Sequence, residues 1–203
     1  MASAQQFRLL LVCTANECRS VFAASALTSQ AVGFAWAVAS AGTEVVAGTA
    51  ACGLTGLADS EHRSRPVSAE LVSAADLVLS MERQHRTRIA EVLPAARRRS
   101  FTLVEAVRFA EIVAASLVGE RPSGDFQALL PADWSRAAEA DRLRWLVSEM
   151  HEARSYFDPV QGDIADAHGD NAPPHEHVFN EITAGVEQLT RAISRVMAHG
   201  AGS

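Results

Sequence analysis

The chain has 203 residues and an apolar fraction of 48%, enough for one α/β domain with a real core or one domain carrying a sizeable insertion. Its net charge of -6 excludes a dedicated nucleic-acid binder, and no apolar run reaches the roughly 18 residues of a membrane helix. Three cysteines, an odd number, exclude a disulfide framework; Met1 to Arg8 lacks the basic head and apolar core of a signal peptide, so a reducing, cytoplasmic location is expected.

Phe7 to Cys13 is a short, continuously apolar run, the pattern of a strand buried on both faces. It delivers the chain into Cys13-Thr14-Ala15-Asn16-Glu17-Cys18-Arg19-Ser20, and from Ser20 to about Ala31 the pattern is helical. A strand, a short loop and a helix start in that order make an oxyanion site. The first helix N–H groups lack internal partners, and the helix dipole favours negative charge there. Such a site suits a thiolate, the nucleophilic form of cysteine. Arg19 adds a planar fork that holds two phosphate oxygens at once.

Ala35 to Ser40 is a second apolar run, ending in Ser40-Ala41-Gly42-Thr43. Gly48 to Ala58 is rich in small residues and is read as a helix. His62-Arg63-Ser64-Arg65 follows, then Ser68 as the N-cap of a helix to Ala74. Ala75 to Met81 predicts a third strand, Glu82 to Val92 a charged amphipathic helix stopped by Pro94, and Arg98 to Thr102 a short fourth strand. The basic triplet Arg97-Arg98-Arg99 is read as a solvated strand edge. Leu103 to Val118 and Trp134 to Ala153 are helical in period, joined by the breaker-rich Gly119 to Gly124. His175 to about His199 predicts a last helix with Val178, Ile182, Val186, Leu189 and Ile193 on one stripe. Alternating strands and helices imply a four-stranded parallel sheet with helices on both faces.

Cys13 and Arg19 stand in the C-x5-R-S spacing of cysteine-dependent phosphatases. With the preceding strand, Asn16 and Cys18, the stretch resembles the low-molecular-weight protein-tyrosine phosphatases, which read C-x-G-N-x-C-R-S here. The resemblance implies the phosphatase-I, flavodoxin-like three-layer sandwich and a phosphomonoester hydrolase without cofactor or metal. Cys13 would be the nucleophile that forms a phosphocysteine. Thr14, Ala15, Asn16, Glu17, Cys18, Arg19 and Ser20 would bind the phosphate, or a sulfate in its place. Ser20 would hydrogen-bond the Cys13 sulfur. Ser40 and His62 would brace Asn16, in positions similar to the family's Ser-Ala-Gly-Thr and histidine–arginine segments. Cys18 would form a reversible disulfide with Cys13, an oxidative off-switch.

The family's general acid is an aspartate in an Asp-Pro pair before the last helix. Two candidates stand here: Asp158-Pro159 matches the pair, whereas Asp166 sits at the better distance, 12 residues before Val178 against 20. Asp166 is preferred, with Asp158 as the alternative. His168, His175 and His177 lie nearby, but no cysteine in the adjacent sequence completes a ligand set, so no metal is expected.

The chain departs from the family pattern in places. Ala15 replaces a glycine and would strain the loop if that position needed a positive φ. Val21 replaces a proline. Val45 and Val46 stand where many members carry an aromatic that packs phosphotyrosine. The resemblance fades after Leu103, and roughly Glu111 to His151 is read as a helical hairpin inserted into a single domain. The expected substrate is a phosphorylated protein or small phosphomonoester. Two alternatives stand beside this reading. One is a catalytically impaired phosphate-binding module. The other is an arsenate-reductase-like enzyme, disfavoured because only Cys52 remains outside the loop for a thiol relay.

Overall fold

The computed structural model describes residues 6–30, 33–57, 61–120 and 125–199. Strands β1 (Phe7–Cys13), β2 (Trp36–Gly42), β3 (Leu77–Ser80) and β4 (Ser100–Thr102) form one parallel sheet in the order β2-β1-β3-β4. Phe7 pairs with Trp36 and Cys13 with Gly42, while Leu9 to Val12 pair with Leu77 to Ser80. The helices are α1 (Arg19–Gln30), α2 (Ala69–Ala74), α3 (Arg83–Val92), α4 (Leu103–Leu117), α5 (Glu139–Ala153) and α6 (His175–Ala198).

The two-residue period of β1 divides the core. Leu9, Leu11 and Cys13 join one cluster with residues of α1, α4, α5 and α6; Leu10 and Val12 join the other with Val72, Ala75 and Ile89. Burial on both faces explains why β1 is apolar throughout rather than alternating. Each fully buried leucine contributes roughly 1.5–3 kcal/mol. Because β1 has β2 on one side and β3 on the other, the connections diverge beyond its carboxyl end and open a crevice there. Cys13 is the last residue of that strand.

Local chemistry sets the boundaries. Ser68 caps α2, its hydroxyl accepting from Leu71 N at 3.3 Å. Thr102 and Glu105 form a reciprocal capping box that starts α4 directly after β4. Three expectations differ. Gly48 to Leu57 forms no α-helix but a short 3-10 turn over Gly53–Thr55, and the positive φ of Gly48 and Gly56 explains why. Arg97 to Arg99 lie in a 3-10 turn over Pro94–Arg99 rather than along a strand edge, since Pro94 pre-sets its first turn. The helix expected over Trp134 to Ala153 begins at Glu139, with Trp134–Arg136 a separate turn. Met1 to Gln5, Ala31, Ala58 and Arg121 to Gly124 lie outside the described residues. No helix among the described residues is long and apolar enough to cross a membrane.

Candidate active site

Residues 14–18 form a tight loop between β1 and α1. Among the described residues, none of their backbone N–H groups donates to a carbonyl in the loop and turn bonding. Together with the α1 N-terminus they make a nest of free donors. The left-handed residue in the loop is Asn16, with φ of 58°. Ala15 therefore does not carry the strain anticipated for it, because the positive φ falls one residue later on a side chain that tolerates it.

Asn16 is fully buried, and its polar atoms reach four residues on three segments. Its amide nitrogen donates to Ser40 Oγ at 2.9 Å and Ser20 Oγ at 3.0 Å. Its side-chain oxygen accepts from Arg65 N at 3.1 Å, and its carbonyl lies 2.8 Å from His62 Nε2. The structure thus brings Ser40 and His62 to Asn16, His62 through the backbone carbonyl rather than the side chain. Cys13 Sγ is buried and 3.1 Å from Ser20 Oγ. Thr14 and Glu17 are half-buried, and Glu17 O accepts from Cys52 N at 2.8 Å.

Arg19 is 2% exposed and is flanked by two carboxylates, Glu82 and Asp166. It also donates to Ile164 O at 2.9 Å and Thr14 Oγ1 at 3.1 Å. A guanidinium this buried needs such partners, since an unpaired buried charge is costly. Asp158, by contrast, is exposed and makes none of the described side-chain contacts to the loop. The loop carrying Asp166 is pinned beside β3: Ile164 N donates to Met81 O at 2.8 Å, and Arg83 N donates to Asp163 Oδ1 at 2.9 Å. Burial pushes the Asp166 carboxyl up, but hydrogen bonds from His168 and the charge of Arg19 outweigh it and hold the group below its ordinary value.

Two contributors had no sequence signal beyond their position. Glu82 follows β3 and reads there as part of an ordinary charged helix start. His85, one turn into α3, places Nε2 3.0 Å from Thr14 Oγ1, while Nδ1 accepts from Glu82 N at 3.1 Å. Burial lowers the His85 pKa and Arg19 adds to the effect, outweighing Glu82. The neutral ring with its proton on Nε2 then donates to Thr14. The mouth of the loop opens into a cleft of about 250 Å³ lined by Thr14, Thr43, Glu44, Gln84, His85 and Arg88.

In the sequence no cysteine neighbours His168, which precedes α6, or His175 and His177 in its first turn. The fold brings Cys18 and Cys52 to His175, their ligating atoms within 4.8 Å of one another. His177 instead turns to Glu181 at 3.4 Å.

The sequence profile of the family described as low molecular weight phosphotyrosine protein phosphatase matches residues 8–111. Three solved structures illustrate the likeness in fold. A low molecular weight protein tyrosine phosphatase from T. tengcongensis is 21% identical, with a TM-score of 0.60 over 92% of this chain and 99% of that one. The YwlE arginine phosphatase from Geobacillus stearothermophilus is 22% identical, with a TM-score of 0.58 over 93% of each chain. The Erwinia amylovora tyrosine phosphatase amsI is 14% identical, with a TM-score of 0.55 over 95% of this chain and 96% of that one. No curated protein matches the sequence.

Proposed function

The chain belongs to the low molecular weight phosphotyrosine protein phosphatase family and is a cysteine-dependent phosphatase, and from that premise we propose that Cys13, Arg19 and Asp166 carry its chemistry. The observation that carries this reading is the meeting of Arg19 and Asp166 at the loop that begins with Cys13.

The sequence of steps follows from the contacts. The free amides of residues 14–18 and the Arg19 fork receive the equatorial phosphate oxygens. The incoming phosphate replaces Asp166 on Arg19 Nη2, which releases the carboxyl toward the leaving oxygen. Cys13 Sγ attacks phosphorus, the bond to the leaving oxygen breaks, and Asp166 gives that oxygen its proton. Asp166, now a carboxylate, takes a proton from water as the water displaces Cys13 from the phosphocysteine. Ser20 Oγ stabilises the departing sulfur by donating to it.

The substrate is a phosphorylated protein or small phosphomonoester, with phosphotyrosine the first candidate from the family. One observation favours a second substrate: the cleft beside Thr14 carries Glu44 and Gln84 and no phenylalanine, tyrosine or tryptophan among its lining residues. A carboxylate there suits the guanidinium portion of a phosphoarginine side chain, the class named for the Geobacillus neighbour. Residues 111–151 are an insertion into a single domain, a reading supported by the end of the family match at residue 111. Three free thiols suit the reducing cytoplasm, where a Cys13–Cys18 disulfide would form only under oxidation.

Turnover of p-nitrophenyl phosphate, a phosphotyrosine peptide and a phosphoarginine peptide tests the reading. Cys13→Ser should lower each by about 10³-fold or more while keeping phosphate binding. No wild-type turnover across about pH 5–7, the working range of a carboxyl acid, would leave only a phosphate-binding module.

A further inference from the structure

Cys18, Cys52 and His175 are far apart in the chain and converge on one point, two thiols and an imidazole within 4.8 Å of one another. Cys52 is held there by its own backbone, donating to Glu17 O at 2.8 Å. A further donor stands beside them: His168 Nε2 lies 3.3 Å from His175 Nε2.

These spacings have a physical meaning. Tetrahedral zinc with Zn–N of about 2.0–2.1 Å and Zn–S of about 2.3 Å has ligand–ligand edges of roughly 3.3–3.8 Å. The histidine pair already has the length of such an edge, and the ligating atoms of Cys18, Cys52 and His175 need to close on one another by roughly an ångström. His168 Nδ1 is 3.0 Å from Asp166 Oδ1. That carboxylate fixes the proton on Nδ1 and leaves the Nε2 lone pair facing His175, the usual outer support of a metal-bound histidine. Cys52 and His175 are half-buried, which leaves an entry path.

We propose that Cys18, Cys52 and His175, with His168 as the fourth ligand, bind a zinc-class divalent cation, and that its binding inhibits hydrolysis at the adjoining loop. Binding forms two metal–sulfur bonds and releases both thiol protons to solvent. Two thiolates and two imidazoles select zinc or cobalt over magnesium or calcium. Inhibition follows because Cys18 belongs to the phosphate loop and precedes Arg19, while the bound His168 holds Asp166 away from a leaving group. The metal site stands without the catalytic assignment; the inhibition rests on it.

Metal-free full-length protein titrated with Co²⁺ reads the site directly, because tetrahedral thiolate coordination has its own absorption bands. The expected result is one equivalent bound with such a spectrum, displaced by Zn²⁺, in wild type and in Cys13→Ser. The spectrum should be lost in Cys52→Ala and in His175→Ala, with folding of each verified by circular dichroism. Absence of the spectrum in wild type overturns the site. So does its persistence in both variants, which would put the metal elsewhere. Zn²⁺ should lower wild-type turnover by about tenfold or more, a change of the size that metal-site perturbations produce. Cys52→Ala should resist. Equal inhibition of both proteins overturns the regulatory half. A wild type without turnover counts against the catalytic assignment and leaves the cobalt result standing.

Discussion

Arg19 carries one charge and faces two carboxylates, Glu82 and Asp166. Before substrate arrives, that pairing and the His168 hydrogen bonds keep the Asp166 carboxyl below its ordinary value. A phosphate on Arg19 removes one of those causes and adds negative charge nearby, and both changes raise the carboxyl's affinity for a proton. The alkaline limb of kcat should therefore lie at higher pH than that of kcat/KM, a separation that pH–rate profiles measure. Asp166→Asn should lower kcat by about 10²–10⁴-fold and flatten that limb. Asp158→Asn alters an exposed side chain and should stay within about twofold of wild type.

At the scale of elements, the end of β2 is built against the phosphate loop. Thr43 N donates to Cys13 O at 3.0 Å and Glu44 N to Thr14 O at 2.9 Å, while the 65–67 segment clamps Gly42 from the other side. A Cβ on Gly42 would lie 2.4 Å from Thr14 O and 2.8 Å from Asn16 N. Both are backbone atoms that cannot turn aside. Gly42→Ala should cost about 1–3 kcal/mol in a urea denaturation and weaken phosphate binding, because the clash falls on the loop itself. The glycine is required by close approach, not by its backbone angles.

The packing of α5 and the turn before it matters to the molecule as a whole. Leu143, Leu146 and Met150 of α5 belong to the same buried cluster as Leu9, Leu11 and Phe101 of the sheet. Trp134 and Trp145 meet edge to face at 4.9 Å, and Trp134 Nε1 donates to His199 O at 2.6 Å, tying the turn before α5 to the end of α6. Leu143→Ala should cost about 2–5 kcal/mol of global stability, as for any core leucine. A peripheral hairpin would lose far less. Global stability should also depend on pH through His85. Its folded pKa is depressed below the ordinary 6.5, chiefly by burial, so the unfolded chain takes up a proton that the native state refuses. The contribution is full above about pH 6.5 and declines as pH falls toward the folded value, and His85→Gln should reduce the slope of urea stability over that window.

The strand–loop–helix order, the C-x5-R spacing and the two-sided apolar strand are local properties, so the amino-acid sequence by itself determined the fold class, the family and the Cys13–Arg19 loop. Ser40 and His62 were legible as braces through resemblance, and their contacts to Asn16 follow from where β2 and the 61–66 segment run. Tertiary structure decided what depends on chain segments meeting. It set Asp166 rather than Asp158 against Arg19, because the backbone of Ile164 is bonded to the end of β3. It brought Glu82 and His85 to Arg19 and Thr14. It also joined Cys18, Cys52 and His175, which no spacing in the chain could announce. A periodic pattern encodes which face a residue buries; a crevice at the carboxyl ends of two strands is formed by connections that diverge, and only folding determines which side chains line it.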